Sequence, residues 1–220
     1  MITVYAFGRV NAAVVGVTRD LRVLWALEET GLPYRVHGLD HPAGELSAPA
    51  YSRINPFEQV PAIDDDGFVL TESGAVLLYL AEKSGTLIPP DVQGRATVTR
   101  WCFAALSSIE PPLFQIAMID LMGDADPTGA ARRPMFVQWA QRALASAEAC
   151  LADQPFITGD AFTVADILVV TVLREVRKTD LLDSYTQLRA YAARCEARPA
   201  WQRTLEAYEH RLGAAPGSAR

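Results

Sequence analysis

Pro89-Pro90 divides this chain into two stretches of different periodicity. Consecutive prolines remove two backbone donors and are poorly carried inside a helix, so Pro89-Pro90 reads as a helix stop and a linker between separate runs. Residues 1–83 mix short alternating segments with helical ones. After a linker at 84–92, residues 93–212 read as helix throughout, and 213–220 reads as a loose tail. The sequence contains no internal repeat.

Within the first stretch, Ile2 to Phe7 alternates, with Ile2, Val4 and Ala6 on one side and Tyr5 and Phe7 on the other, the pattern of a strand. Leu21, Leu24 and Leu27 then recur at helical spacing, and Gly31 and Pro33 stop that helix. Tyr34 to Leu39 reads as a second strand, which makes a parallel βαβ unit with a right-handed crossover. Ala62-Ile63-Asp64 and Phe68-Val69-Leu70 flank Asp65-Asp66-Gly67, a hairpin in which Asp-Gly supplies positive φ. Ser73 to Lys83 is a helix whose inner side carries Val76, Leu77 and Leu80.

The second stretch divides into about five helices. Trp101, Ala105 and Ser108 share a face of the first, and Phe136, Trp139, Ala143 and Ala147 a face of the second. Thr163 to about Val176 is the most apolar. Two more follow, at Tyr185–Ala197 and Pro199–Arg211.

The formal net charge of −6 argues against nucleic-acid and membrane-surface binding, both of which draw on basic faces. No apolar run of membrane-spanning length is expected, nor a signal peptide at Met1-Ile2-Thr3-Val4-Tyr5. The three cysteines, Cys102, Cys150 and Cys195, are odd in number and far apart. That favours a reducing cytoplasm over a disulfide framework. With His37, His41 and His210 they form no metal-ligand spacing, so no metal is expected.

Asn55-Pro56-Phe57-Glu58-Gln59-Val60-Pro61-Ala62, followed by Thr71-Glu72-Ser73-Gly74-Ala75-Val76, resembles the glutathione site of the glutathione transferase family. Phe162-Thr163-Val164-Ala165-Asp166-Ile167 resembles that family's capping-box motif. Leu24 to Glu29 with Gly31-Leu32-Pro33-Tyr34 is similar to its first helix and second strand. The resemblance covers residues 1–212. It implies an α/β thioredoxin-like N-terminal domain (βαβ-ββα, mixed sheet) followed by an all-α C-terminal helical bundle. It further implies glutathione as co-substrate, a cytoplasmic homodimer, and attack of the glutathione thiolate on hydrophobic electrophiles in detoxification. The second-substrate pocket would lie between the domains, lined by Trp101, Ala104, Ala105 and Ser108 with Val14 and Val15.

Each fragment also has its own physics. A cis Val60-Pro61 bond costs only about 0.5–1 kcal/mol. It would turn the Val60 N–H and C=O outward, free to pair with the cysteinyl unit of glutathione as a short strand; otherwise Pro61 merely starts a strand. Glu72 and Ser73 open a helix whose unpaired N–H groups suit a carboxylate. Ser73 would bind the γ-glutamyl carboxylate and Glu72 the ammonium group, unless both serve only as caps. Thr163 and Asp166 form a structural N-terminal box.

The chemistry needs a thiolate. A thiol of pKa about 8.5 is roughly 3% ionised at neutral pH, and lowering it by about two units takes about 2.7 kcal/mol. A hydrogen bond to a charged acceptor supplies about 1.5–3 kcal/mol, and a helix N-terminus about 0.3–2. One hydroxyl at the start of the first helix therefore suffices. Aligned on Arg22-Val23-Leu24-Trp25, the family's serine position holds Val17, which has no hydroxyl. Thr18, the next residue, is the expected catalytic group, with Arg19 as electrostatic helper; helix capping is its alternative role. Tyr5, read as ending the first strand, is the fallback.

No cysteine precedes Cys102, so the mixed disulfide that some relatives form on a cysteine near the first helix has no counterpart, and dithiol or glutathionylating chemistry is not expected. Leu46 stands where some relatives carry His, and Glu58 replaces a small residue or His. Both remove partners for the glycyl carboxylate, and Gln59 would compensate as a neutral donor. Val17 and Glu58 favour one alternative to a transferase, a non-catalytic binding protein of this fold; a glutathione-dependent isomerase or dehalogenase, with the same site but a different pocket, is a third reading.

Overall fold

The structure, a computed structural model, describes all residues from Met1 to Arg220 in two compact units: Met1–Thr86 with Arg198–Arg220, and Leu87–Ala197. The first unit begins with β1 (Ile2–Arg9), α1 (Asp20–Thr30), β2 (Tyr34–Asp40), α2 (Pro49–Ser52), β3 (Ala62–Asp65), β4 (Phe68–Leu70) and α3 (Ser73–Ser84). The four strands are ordered β2-β1-β3-β4. β1 runs parallel to β2, with Val4 opposite Val36, and antiparallel to β3, with Val4 opposite Ile63. The hairpin forms as its sequence demands: Asp66 and Gly67 take φ of 52° and 96°. Asp64 anchors the turn by accepting from Gly67 N at 2.7 Å.

Alternation along β1 decides the two faces of the sheet. Ile2, Val4 and Ala6 are buried together with Leu21, Leu24 and Leu27 of α1 and Val76, Leu77 and Leu80 of α3. The opposite face holds Leu39, Leu46, Tyr51 and Val60, with Tyr5, Phe7 and Ile54 packed against them. β1 extends to Arg9, past the expected end at Phe7, across an irregularity in its pairing with β2.

In the second unit, α4 (Val92–Ala104) leads through a π-helical segment, Ala105–Ile109, into α5 (Glu110–Met122). Pro111 and Pro112 explain the widening. They have no N–H to return to the carbonyls of Ser107 and Ser108, and Glu110 N reaches back to Ala105 O instead. The helical stretch Val92–Ala125 is long and apolar enough to cross a membrane by length and composition, contrary to the sequence expectation. Its apolar stripe, from Val98 through Trp101, Ala105 and Leu113 to Ile116, is instead buried within this unit. Trp101 and Ala105 are therefore core residues, which corrects their reading as pocket lining.

α6 (Gly129–Cys150) buries Ala140, Leu144 and Ala147. Of the expected face, Ala147 is buried and Phe136 and Ala143 are half-buried. Trp139 remains 44% exposed. α7 (Val164–Leu173) is buried along its whole length, and α8 (Thr186–Glu196) follows. Asp166 accepts from Thr163 N at 2.7 Å and Ile157 N at 2.8 Å, completing the capping box and tying in the preceding loop.

The last helix, α9 (Pro199–Leu212), belongs to the first unit, so the helical unit is shorter than the expected 93–212. The reason lies in α1, which is apolar on more than its sheet-facing side. Trp25 of α1 meets Trp201 of α9 with ring centroids 4.5 Å apart. Glu29 pairs with Arg198 at 2.6 Å and Glu28 with Arg203 at 2.8 Å. Nor is 213–220 loose. The amides of Gly217 and Ala219 donate to the Glu209 carboxylate at 2.8 and 2.7 Å.

Candidate glutathione site

The arm before β3 is held from beneath. Tyr51 Oη and Asn55 Nδ2 both donate to Gln59 O at 2.6 Å, and Asn55 Oδ1 accepts from Phe57 N at 3.0 Å. The next peptide, Val60-Pro61, is cis. The N–H and C=O of Val60 form no hydrogen bond within the chain. A free peptide edge therefore stands where β3 begins. Gln59 is exposed beside it and Pro61 is buried.

Glu58 takes a φ of 54°, and its carboxylate accepts from Ser47 Oγ at 2.7 Å and Ser52 Oγ at 3.2 Å. It braces the segment around α2 and remains exposed. Leu46 lies in the apolar cluster with Tyr51 and Val60. Its departure from the family's histidine is thus accounted for by packing.

Glu72 precedes α3 with a φ of 65°, and its side chain is exposed. Ser73, the first residue of α3, is buried, and its Oγ accepts from Arg22 Nη1 at 3.1 Å. With that lone pair occupied by a guanidinium, the hydroxyl proton is free to donate outward. Arg22, itself buried, was not foreseen as a site residue. The available signal was a charge inside the apolar run Leu21-Arg22-Val23-Leu24.

Contacts gather these pieces at one end of the sheet. Ala62 pairs with Tyr5. Two residues on, Phe7 N donates to Asp20 Oδ2 at 3.1 Å at the start of α1. Two residues further, Arg22 reaches Ser73. The arm and the starts of α1 and α3 are thus linked through hydrogen bonds and strand pairing.

The loop entering α1 departs from the sequence expectation. Gly16 takes a φ of 87°. Thr18 is only 9% exposed, and its hydroxyl oxygen lies 2.7 Å from the Tyr208 phenol oxygen on α9. That phenol oxygen also accepts from Gly16 N at 3.3 Å, which leaves its own proton for Thr18. The Thr18 hydroxyl in turn favours the ionised form of Asp20. The expected thiol partner, the Thr18 hydroxyl, is thus engaged in a buried network turned toward α9. The Thr18 N–H forms no hydrogen bond within the chain. It lies one residue before Arg19, the half-buried N-cap of α1.

Tyr5 does not end its strand. It sits inside β1, opposite His37 and Ala62, with its ring 5.3 Å from His37 and 5.8 Å from Tyr51. Alternation turns it toward α2. Asp20 is fully buried. Burial raises its pKa, against which Arg211 Nη2 at 3.2 Å holds the charge. Burial likewise pushes the Tyr208 phenol up to about 12, so it stays neutral.

A mixed sheet with a free peptide edge and two linked helix starts defines a thioredoxin-like domain suited to a thiol-bearing peptide. Residues 21–83 match the model of the glutathione S-transferase N-terminal domain, and 130–194 match that of the C-terminal domain. A protein of rice, Oryza sativa subsp. japonica, named a probable glutathione S-transferase, is 31% identical over 196 residues, covering 85% of this chain and 89% of its own. A glutathione transferase family member from Pseudomonas fluorescens, solved with two glutathione bound, is 27% identical with a TM-score of 0.83, covering 93% of this chain and 92% of its own. A glutathione transferase from Burkholderia graminis, also with two glutathione molecules per subunit, is 28% identical with a TM-score of 0.80, covering 93% and 87%. The chain belongs to the glutathione S-transferase family, and its class of activity is glutathione transfer.

Proposed function

We propose that this chain holds glutathione along the Val60–Pro61 arm and the start of α3, and delivers the thiolate to a small hydrophobic electrophile. The cysteinyl unit pairs with the N–H and C=O of Val60. The γ-glutamyl carboxylate takes the Ser73 hydroxyl proton and the first amides of α3, while Glu72 attracts the ammonium group. Gln59 offers a neutral donor, and Pro61 shapes the arm.

Thiol activation falls to the Thr18 N–H rather than its hydroxyl. A hydrogen bond from this N–H contributes about 1.5–3 kcal/mol and the start of α1 about 0.3–2. Together they cover the roughly 2.7 kcal/mol that a two-unit drop in thiol pKa requires. Arg19 adds positive charge. The thiolate sulfur then forms a bond to the electrophilic carbon as the leaving group departs. The observation that carries this reading is the free peptide edge of Val60.

The two relatives holding two glutathione molecules favour a second reading, in which the second substrate is itself a disulfide. One glutathione thiolate would attack the disulfide and release a thiolate, and a second glutathione would resolve the mixed disulfide to glutathione disulfide. Both thiols come from glutathione, so no cysteine near α1 is needed.

We infer a reducing compartment, the cytoplasm, from three cysteines that are all free. We also infer a homodimer, to which Phe57, Phe68 and Val69 offer exposed apolar surface on the first unit. Light scattering that finds only a 24.0 kDa species removes the dimer.

Thermal melting with reduced glutathione tests the site. At about 100-fold excess over Kd, the ligand adds about 2.7 kcal/mol, a rise of roughly 5–10 °C for a chain of this size. Ser73→Ala should weaken binding about tenfold, the loss of one charge-assisted hydrogen bond. No shift in wild type at millimolar glutathione would overturn the proposal. Binding without turnover of electrophile or disulfide would leave a non-catalytic binder.

A further inference from the structure

Building on the glutathione site proposed above, we infer that α9 and the segment after it brace the thiol-activating loop, and that Tyr208 is a positioning residue for the thiol of bound glutathione. The loop is held at its two ends and in its middle. At the ends, Arg211 donates from Nε to Phe7 O at 2.9 Å and from Nη2 to Asp20 Oδ2 at 3.2 Å. These residues are where β1 releases the chain and where α1 takes it up. In the middle, the Tyr208 phenol oxygen joins Gly16 N to the Thr18 hydroxyl.

The segment after α9 closes on the same glycine. A Cβ built on Gly16 would lie 2.4 Å from the Ala219 carbonyl oxygen, so backbone meets backbone there and only glycine fits. Ala219 is fully buried. Its amide and that of Gly217 are gripped by the two carboxylate oxygens of Glu209, one residue after Tyr208. A single turn of α9 therefore presents Tyr208 to one side of Gly16 and, through Glu209, seats the chain's last residues against it.

Two residues beyond Gly16 lies the N–H assigned to the thiolate. A backbone donor cannot adjust by rotating a side chain, so its aim is set by the φ and ψ angles of Gly16 and Val17. Misplacement of such a group by about 1 Å costs on the order of a hundredfold in rate. Tyr208 touches none of the groups assigned to the peptide portion of glutathione. Its effect should thus fall on the thiol and not on affinity.

The test compares wild type with Tyr208→Phe. Bound glutathione is titrated through the ultraviolet absorbance of its thiolate, its Kd is measured by calorimetry, and folding is checked by urea unfolding. The expected result is a rise of about one unit in the bound thiol's pKa, equal to a tenfold loss of thiolate at neutral pH. kcat should fall with it, while Kd changes less than about threefold. Glu209→Gln, which weakens the grip on the terminal amides while keeping the phenol, should move the thiol in the same direction and provides the test if Tyr208→Phe does not fold. An unchanged thiol pKa in the folded variants, with glutathione bound, overturns the inference. Failure of wild type itself to bind glutathione sinks the underlying site instead.

Discussion

The hydroxyl oxygen of Thr18 lies 2.7 Å from the phenol oxygen of Tyr208, a contact between the loop before α1 and the third turn of α9. It ties the side chain of Thr18 to α9, while the Thr18 backbone N–H forms no hydrogen bond within the chain.

Thr18→Val keeps the shape and removes the hydroxyl. It strands a buried phenol and should lower stability by about 1–3 kcal/mol, read from urea unfolding. Glutathione should still bind. The bound thiol should shift less than in Tyr208→Phe, because Gly16 stays tied to the phenol. Unchanged stability with a thiol pKa raised by about two units would restore the hydroxyl as the activating group.

Asp166 is worth more than a helix cap. A cap alone contributes about 1 kcal/mol. Here the carboxylate accepts from Thr163 N, Thr163 Oγ, Ile157 N and Tyr191 Oη, all within 3.1 Å. Asp166→Ala leaves those buried donors unmet, at about 1–3 kcal/mol each before relaxation. The total loss should exceed about 3 kcal/mol. A measured loss near 1 kcal/mol would mean that water or a repacked loop satisfies them.

Asp65 makes stability depend on acid. Lys83 Nζ and Tyr79 Oη both donate to its Oδ2 at 2.5 Å and hold its pKa below the ordinary 3.8. Its contribution is present above 3.8 and is lost as pH falls through the lower folded value. Asp20 and Asp166 run the other way. Burial raises both, so their contribution is complete below 3.8 and declines as pH rises through the raised values. The stability difference between wild type and Asp65→Asn should therefore be constant above about pH 5 and shrink toward about pH 3. A difference independent of pH would remove the ionic role of Asp65.

Much of the first unit was legible because its signals are local. Asp66-Gly67 dictates its turn whatever surrounds it, and the alternation from Ile2 to Ala6 assigns the faces of β1. The cis Val60-Pro61 bond and the helix start at Ser73 lie in short motifs whose backbone geometry is set within a few residues. Helix phase was less secure. The spacing of Phe136 and Trp139 marks theirs as the inner side of α6, yet Ala140 and Leu144 are the buried residues, because the packing partner and not periodicity alone decides which stripe is covered. The π-helical segment follows from Pro111 and Pro112, but periodicity alone does not reveal how the freed carbonyls are accommodated.

What the sequence by itself determined is the element order, the hairpin, the Val60–Pro61 arm, the start of α3 and the capping box of α7. These rest on dihedral preferences and hydrogen bonds between residues close along the chain. Only the tertiary structure decided that α9 packs on α1, that Arg22 reaches Ser73, and that the Thr18 hydroxyl meets Tyr208. The partner in that last contact lies 190 residues along the chain. A hydroxyl's role depends on which donor or acceptor reaches it first, and no local pattern around Thr18 encodes the approach of Tyr208.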